Sequence, residues 1–269
     1  MLDAIKEFME EAYPRVNTER VRVRRIGGIL SCVYLLEIPE NGKETVVVKK
    51  FRDIRGPLKW IPVSLWTIGA RRFVITSEER MRRERFMSAF LRRRRFPVPK
   101  VFYADPKRRV LFEEYIKGEK ATVILKRIIG RGRALDKERS VIRRIGQRIG
   151  IAHKMGVAIG DTKDANIIVT EDGDTYFIDL EQASPDGTYL PWDVAQFLYY
   201  AGHHVFQCSL RGLDDIVKSF LTGYIDGGGE RGVIEEVMSV RLLRALSVCL
   251  LPHVLCYIVI LCQDVSSTF

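Results

Sequence analysis

Ile159-Gly160-Asp161-Thr162-Lys163-Asp164-Ala165-Asn166, followed by Tyr176-Phe177-Ile178-Asp179-Leu180, is the stretch on which the reading of this chain turns. Asp161 and Asn166 stand in a D-x-x-x-x-N spacing, and Asp179 follows thirteen residues later at the end of an apolar run. Carboxylate and amide oxygens are the hard donors that Mg²⁺ prefers, so Asn166 and Asp179 read as a metal pair. A carboxylate such as Asp161, within reach of a hydroxyl, can take its proton. Each residue alone has a duller reading. Asp161 and Asn166 can brace a tight loop, Asp179 can begin a turn, and Asp193 in Pro191-Trp192-Asp193-Val194-Ala195 reads as a helix cap.

Working outward, residues 2–13 read as a short amphipathic helix. Val21-Arg22-Val23-Arg24-Arg25-Ile26 alternates apolar and basic side chains, which is strand periodicity. Strand-like runs at 32–38 and 45–51 flank Asn41-Gly42, a strong hairpin signal. Residues 77–95 read as a helix with Ser77 as its cap and Pro97 as its stop, bringing Met81, Glu84, Ser88 and Leu91 to one face. Strands are expected at 99–104 and 109–116. Beyond about 119 the pattern turns helical, at 138–155, 192–202, 212–225 and 233–262, interrupted by short strands at 166–170 and 175–179. Strand-rich then helix-rich predicts an α+β protein of two lobes, 1–116 and 117–269, with an insertion at 52–76.

The chain has 269 residues, 46% of them hydrophobic, enough for a sizeable core. Five cysteines form no C-x-x-C pair and leave one over, which indicates neither a disulfide framework nor a zinc site. A reducing compartment is the simplest reading. The start, Met1-Leu2-Asp3-Ala4-Ile5-Lys6-Glu7, lacks a basic-then-apolar leader, so a cytoplasmic location is expected. Residues 245–262 approach the length of a membrane span, but Pro252 and His253 interrupt them. We read them as helices buried in the second lobe, with His253 in the core, and expect no membrane partner.

Further segments fall into order around the opening stretch: Val47-Val48-Lys49-Lys50, then Arg82-Arg83-Glu84-Arg85-Phe86, then Phe112-Glu113-Glu114-Tyr115-Ile116. Ile26-Gly27-Gly28-Ile29-Leu30-Ser31 has the look of a shortened phosphate loop. This set resembles the RIO-type atypical kinases and the small archaeal kinase of the KEOPS tRNA-modification complex, over about residues 20–200. The resemblance implies a two-lobed protein-kinase-like fold that uses ATP and Mg²⁺. It makes Lys49 the grip on the phosphates and Glu84 the partner of that lysine. It makes Glu113 and Tyr115 part of an adenine-reading hinge, and Gly27, Gly28 and Ser31 part of the nucleotide cover. Asp161 becomes the catalytic base, Lys163 the residue touching the transferring phosphate, and Asn166 and Asp179 the metal ligands. There are departures: Ile159 stands where these families often carry histidine, Leu180-Glu181 replaces the end of D-F-G, and no activation segment follows.

The charge bears on the acceptor. Net charge is +10, and the excess is mainly arginine, whose planar fork suits phosphate. Arg80, Arg82, Arg83 and Arg85 precede the run Arg92-Arg93-Arg94-Arg95, and Lys107 to Arg109 and Lys126 to Arg148 add more. A charge run is usually a solvated face; a polyanionic partner such as RNA is the sharper reading. Trp60 and Trp66, set among basic residues, suit either base stacking or packing. The chain is also similar to archaeal RNA kinases that phosphorylate a ribose 2′-hydroxyl in tRNA. A serine/threonine protein kinase, supported by Lys163, and a RIO-like ATPase switch on an RNA–protein particle are the alternatives.

Overall fold

The computed structural model describes residues 1–17, 20–27, 31–39, 44–53, 72–205, 210–246 and 250–268. Gly28 of the glycine turn, the Asn41-Gly42 hairpin turn, and Trp60 and Trp66 of the insertion lie outside the described residues. Contacts divide the chain into two compact units, one of Met1–Pro57 with Val74–Ile116 and the other of Leu58–Phe73 with Lys117–Phe269.

The N-terminal unit is built on a five-stranded antiparallel sheet: β1 (Arg22–Gly27), β2 (Ser31–Ile38), β3 (Glu44–Phe51), β4 (Val101–Asp105) and β5 (Val110–Glu114), in the order β1-β2-β3-β5-β4. Helix α1 (Leu2–Ala12) turns Ala4, Ile5, Phe8 and Met9 onto one face of the sheet, against Leu36, Ile38, Val46, Val48, Val110 and Phe112. The Phe8 ring stacks on Phe112 at 4.3 Å. Side chains alternate across a strand, so Phe51 and Leu111 fall in a second cluster with Met81 of helix α2 (Ser77–Arg93).

Helix α2 corrects two expectations. Its cap is Thr76, whose hydroxyl accepts from the Glu79 amide at 3.4 Å; Ser77 instead donates its hydroxyl to Asp53 at 2.6 Å. It ends at Arg93, before Pro97, and Arg95 already has φ of 58°. The predicted face holds: Met81, Glu84, Ser88 and Leu91 are all buried.

The C-terminal unit carries a small sheet of β6 (Glu119–Lys120), β7 (Ile167–Val169) and β8 (Thr175–Phe177). Around it lie helices α3 (Ala121–Arg131), α4 (Asp136–Lys154), α5 (Leu190–His203), α6 (Arg211–Asp226), α7 (Arg231–Val237), α8 (Val240–Leu246) and α9 (Pro252–Thr268). Helices α4 and α6 pack backbone to backbone. A Cβ on Gly146 would lie 2.0 Å from the Phe220 carbonyl oxygen, and one on Gly223 would lie 1.9 Å from that of Arg143. Phe197 of α5 stacks on Phe220 at 4.3 Å.

The helical stretch expected over 233–262 is divided among α7, α8 and α9, the last starting at Pro252, where proline costs no helical hydrogen bond. His253 is exposed, which corrects its placement in the core. Among the described residues no helix is long and apolar enough to cross a membrane.

Candidate active site

In the N-terminal unit the candidates converge on Lys49. In an antiparallel pair, Lys49 stands opposite Leu111 and Val47 opposite Glu113, so Lys49 and Glu113 are diagonal neighbours on one face of the sheet. The Lys49 Nζ lies 3.2 Å from Glu113 Oε2 and is hydrogen-bonded to Glu84 Oε1 of α2. All three side chains are buried. Glu113 thus presents a carboxylate to the lysine from the strand, while the following Tyr115 is 41% exposed. Ser31 starts β2 and accepts from Arg80 Nη1 at 3.3 Å; Gly27 ends β1 and is exposed. Arg80 had been counted with the basic face of α2. It is fully buried, donating to the Arg52 carbonyl at 2.6 Å, and does not belong to that face.

In the C-terminal unit the loop 159–166 is shaped by α5. Asp193 is fully buried inside that helix, and its carboxylate accepts from the backbone amides of Ile159 (2.5 Å) and Gly160 (2.7 Å). His153 of α4 bridges the same carboxylate (Nε2, 3.2 Å) and the Tyr224 hydroxyl (Nδ1, 2.8 Å). Asp193 is therefore the anchor of the loop rather than a helix cap. With Ile159 lacking a polar side chain, the backbone and His153 make the orienting bonds. The loop positions both oxygens of Asp161. Lys163 Nζ donates to Oδ2 at 2.6 Å, Asn166 Nδ2 to Oδ2 at 2.8 Å, and Gln196 Nε2 to Oδ1 at 3.0 Å.

Burial, with the nearby Asp179 carboxylate, pushes the Asp161 carboxyl above its usual range against the pull of Lys163. Burial works to lower the Lys163 ammonium, but the Asp161 carboxylate beside it outweighs this and the net shift is up. Asp179 comes two residues after β8, not within it, and sits in the left-handed region at φ 70°. A non-glycine residue held there is a strained position of the kind found at functional sites. Its carboxylate makes no hydrogen bond with the described residues of its own unit, and Asn166 spends its amide N–H on Asp161. That leaves the Asn166 side-chain oxygen and the Asp179 carboxylate, two hard donors, fit for a Mg²⁺ ion.

The structure thus brings together Lys49, Glu84 and Glu113 in one unit, and Asp161, Lys163 and Asn166 in the other. Two groups were missed from sequence. Gln196 and His153 lie on regular helices in no recognisable motif, and only the (i, i+3) spacing of Asp193 and Gln196 hinted at a shared face. A cavity of about 460 Å³ elsewhere in the C-terminal unit, lined by Lys117, Arg127, Glu138 and Glu171 among others, holds none of the candidates.

The architecture, an antiparallel sheet with a buried helix followed by a helical unit, is a protein-kinase-like fold. Over its whole length the chain matches 77% of the Rio2 kinase from Chaetomium thermophilum, solved as an ADP/Mg²⁺-phosphoaspartate complex, with TM-score 0.50 and 14% identity. In sequence it is 30% identical over 150 residues to a KEOPS complex subunit Bud32 from Pyrococcus abyssi, covering 54% of this chain and 64% of that protein. It is 25% identical over 123 residues to a probable serine/threonine-protein kinase BUD32 homolog from Archaeoglobus fulgidus, covering 46% and 61%. The matches therefore span less than two thirds of those curated relatives. No protein-family profile matches the chain. The chain is thus similar to Bud32 proteins over part of its length and shares the protein-kinase-like fold of Rio2.

Proposed function

We propose that this protein is a magnesium-dependent phosphotransferase that moves the γ-phosphate of ATP to a hydroxyl, with a ribose 2′-hydroxyl of tRNA as acceptor. The observation that carries the reading is the Asp161 carboxylate, held by Lys163, Asn166 and Gln196 at 2.6 to 3.0 Å. A base so oriented needs no reorganisation when the hydroxyl arrives. Burial raises its proton affinity above that of an ordinary carboxylate, still opposed by Lys163, which suits it to accept a proton.

Mg²⁺, when held by the Asn166 side-chain oxygen and Asp179, supplies charge neutralisation on the phosphate oxygens. Lys49, oriented by Glu84 and Glu113, meets phosphate oxygens in the N-terminal unit, and Tyr115 belongs to the segment that receives the adenine. Lys163 holds Asp161 in place and offers an ammonium to the transferring group. Gly27, Gly28 and Ser31 cover the nucleotide.

For the acceptor, support comes from charge. Much of the basic surface is already paired: Arg82 and Arg83 with Glu79, Arg131 with Glu138, Arg143 with Asp226, Arg144 and Arg148 with Asp174. Arg85, Arg93 and Arg95 are exposed on and after α2 with no ion pair to another described residue, and they are available to phosphate. The Bud32 relative is named as a subunit of the KEOPS complex, which favours partners of that kind, and a cytoplasmic setting accords with such a role.

A second reading, serine/threonine protein phosphorylation, is favoured by the Lys163–Asp161 contact and by the name of the Archaeoglobus relative. The purified protein is incubated with γ-labelled ATP and Mg²⁺, offered unmodified tRNA and a generic protein, with Asp161→Asn as blank. Label in tRNA that the variant lacks is the expected result. Label in protein alone makes the second reading the right one, and free phosphate alone marks an ATPase switch.

A further inference from the structure

Asp161 accepts hydrogen bonds unevenly. A carboxylate oxygen has two lone-pair sites. Oδ2 takes two donors, Lys163 Nζ at 2.6 Å and Asn166 Nδ2 at 2.8 Å, and is filled. Oδ1 takes one, Gln196 Nε2 at 3.0 Å, and keeps a site open. The Gln196 amide has no choice of orientation. Its Oε1 accepts from the Thr162 backbone N–H at 2.8 Å, and a backbone N–H can only donate, so the NH₂ end must face Asp161. Thr162 Oγ1 adds a contact to the same oxygen at 3.3 Å. Gln196 is only 6% exposed. It lies one turn beyond Asp193 on α5, so one helix face grips the loop on both sides of Asp161: Asp193 holds the amides of 159 and 160, and Gln196 holds that of 162.

We propose that Gln196 is a positioning residue that fixes the plane of the Asp161 carboxylate and leaves Oδ1 as the atom that takes the acceptor's proton. The inference rests on the phosphotransfer reading above and names the geometry within it. In the step, the acceptor O–H bond breaks and its proton passes to Oδ1. The freed oxygen pair forms the bond to the γ-phosphorus, while the bond from that phosphorus to the bridging oxygen breaks and ADP leaves. With Lys163 and Asn166 both on Oδ2, Gln196 is the side chain that stops the carboxylate from turning Oδ1 away.

Two substitutions separate this role from simple loop support. Gln196→Glu keeps an oxygen for the Thr162 amide but replaces the donor facing Oδ1 with an acceptor. Gln196→Leu removes both bonds without adding charge. The expected result for each is a fall in kcat of about tenfold or more, with the KM for ATP within about twofold of the parent. Loop support alone predicts that Gln196→Glu behaves as the parent and only Gln196→Leu suffers; that pattern, or a rise in KM with kcat kept, overturns the inference.

A crystal structure of Gln196→Leu gives a readout independent of turnover. The Asp161 carboxylate is expected to rotate while the amides of Ile159 and Gly160 stay on Asp193. An unrotated carboxylate overturns the inference whether or not phosphate is transferred, so its failure is distinct from failure of the kinase reading.

Discussion

Each unit holds one lysine between two carboxylates: Lys49 with Glu84 and Glu113 in the first, Lys163 with Asp161 and Asp179 in the second. The charges match, but the surroundings do not. In the first, the side chains are 9%, 3% and 5% exposed; in the second, Lys163 is 32% and Asp161 16% exposed. A dry lysine with two acids has no water to fall back on, so its geometry is bound to the folding of β3, β5 and α2. A wetter cluster can exchange partners, which is what a proton acceptor must do. On the proposed function both clusters serve phosphotransfer, but the dry one carries more of the stability of its unit, and substitution should separate the two.

The sharpest separation is expected at Asp161. Asp161→Asn keeps the shape but cannot take a proton, and its NH₂ must face either Gln196 or the Lys163 and Asn166 pair, all of them donors. Turnover should fall about 10²–10⁴-fold, the usual worth of a positioned base. Nucleotide affinity should stay close to the parent and melting temperature should fall only modestly, because the lost hydrogen bond is offset by relief of a buried charge and of repulsion from Asp179. Steady-state transfer assays beside calorimetric melting test this. Turnover that survives the change would remove Asp161 from the chemistry.

Lys49→Met should invert the pattern by acting first on stability. It leaves two buried carboxylates without their cation, and breaking a buried pair from one side costs about 3–5 kcal/mol. Urea unfolding measures it directly. A loss under about 1 kcal/mol would show that water reaches the cluster and that the contrast with the second unit is false.

How much of this was legible in the sequence follows from the same contrast. Lys49, Glu84, Asp161, Asn166 and Asp179 sit in local runs with fixed spacing, and periodicity placed β1–β3, α2 and its buried face. Besides Gln196 and His153, three things escaped. Arg80 reads as one more charged residue in a basic helix, and nothing local reveals that the Arg52 carbonyl waits for it across the fold. Asp193 stands near a helix start, where caps belong, so its long-range bonds to the amides of 159 and 160 could not be foreseen. Helix α3 has a buried stripe of Ala121, Ile124, Leu125 and Ile128, a helical period, yet it was absorbed into a general expectation of helix beyond residue 119. Local order is readable; partners distant in sequence are not.

Asp193→Asn probes that distant link at intermediate size. The carboxylate takes two backbone N–H groups and a histidine nitrogen, and an amide must turn an NH₂ toward one of these donors. Hydrogen bonds to a charged group are worth about 1.5–3 kcal/mol, so a loss of about 2 kcal/mol is expected. Because Asp193 shapes the loop, kcat should fall as well. A variant that loses stability with kcat intact would mean the loop keeps its form without this anchor.

The smallest effect is expected at Asp53, an exposed acid that ties β3 to the start of α2. The Ser77 hydroxyl and amide donate to it at 2.6 and 3.2 Å and Arg109 is hydrogen-bonded to it, which lowers its pKa to about 2. A depressed carboxylate contributes its stability above its unfolded pKa, near 4, and loses it as pH falls through the folded value. The wild type should therefore lose more stability than Asp53→Asn between about pH 4 and 2, and the two curves should run parallel above about pH 5. The side chain is 60% exposed, so solvent screening reduces the difference to about 0.5 kcal/mol. Chemical unfolding at stepped pH resolves it. A gap as large as that of Lys49→Met would mean that exposure does not set the worth of these charges, and the contrast between the dry and the wet cluster would lose its physical basis.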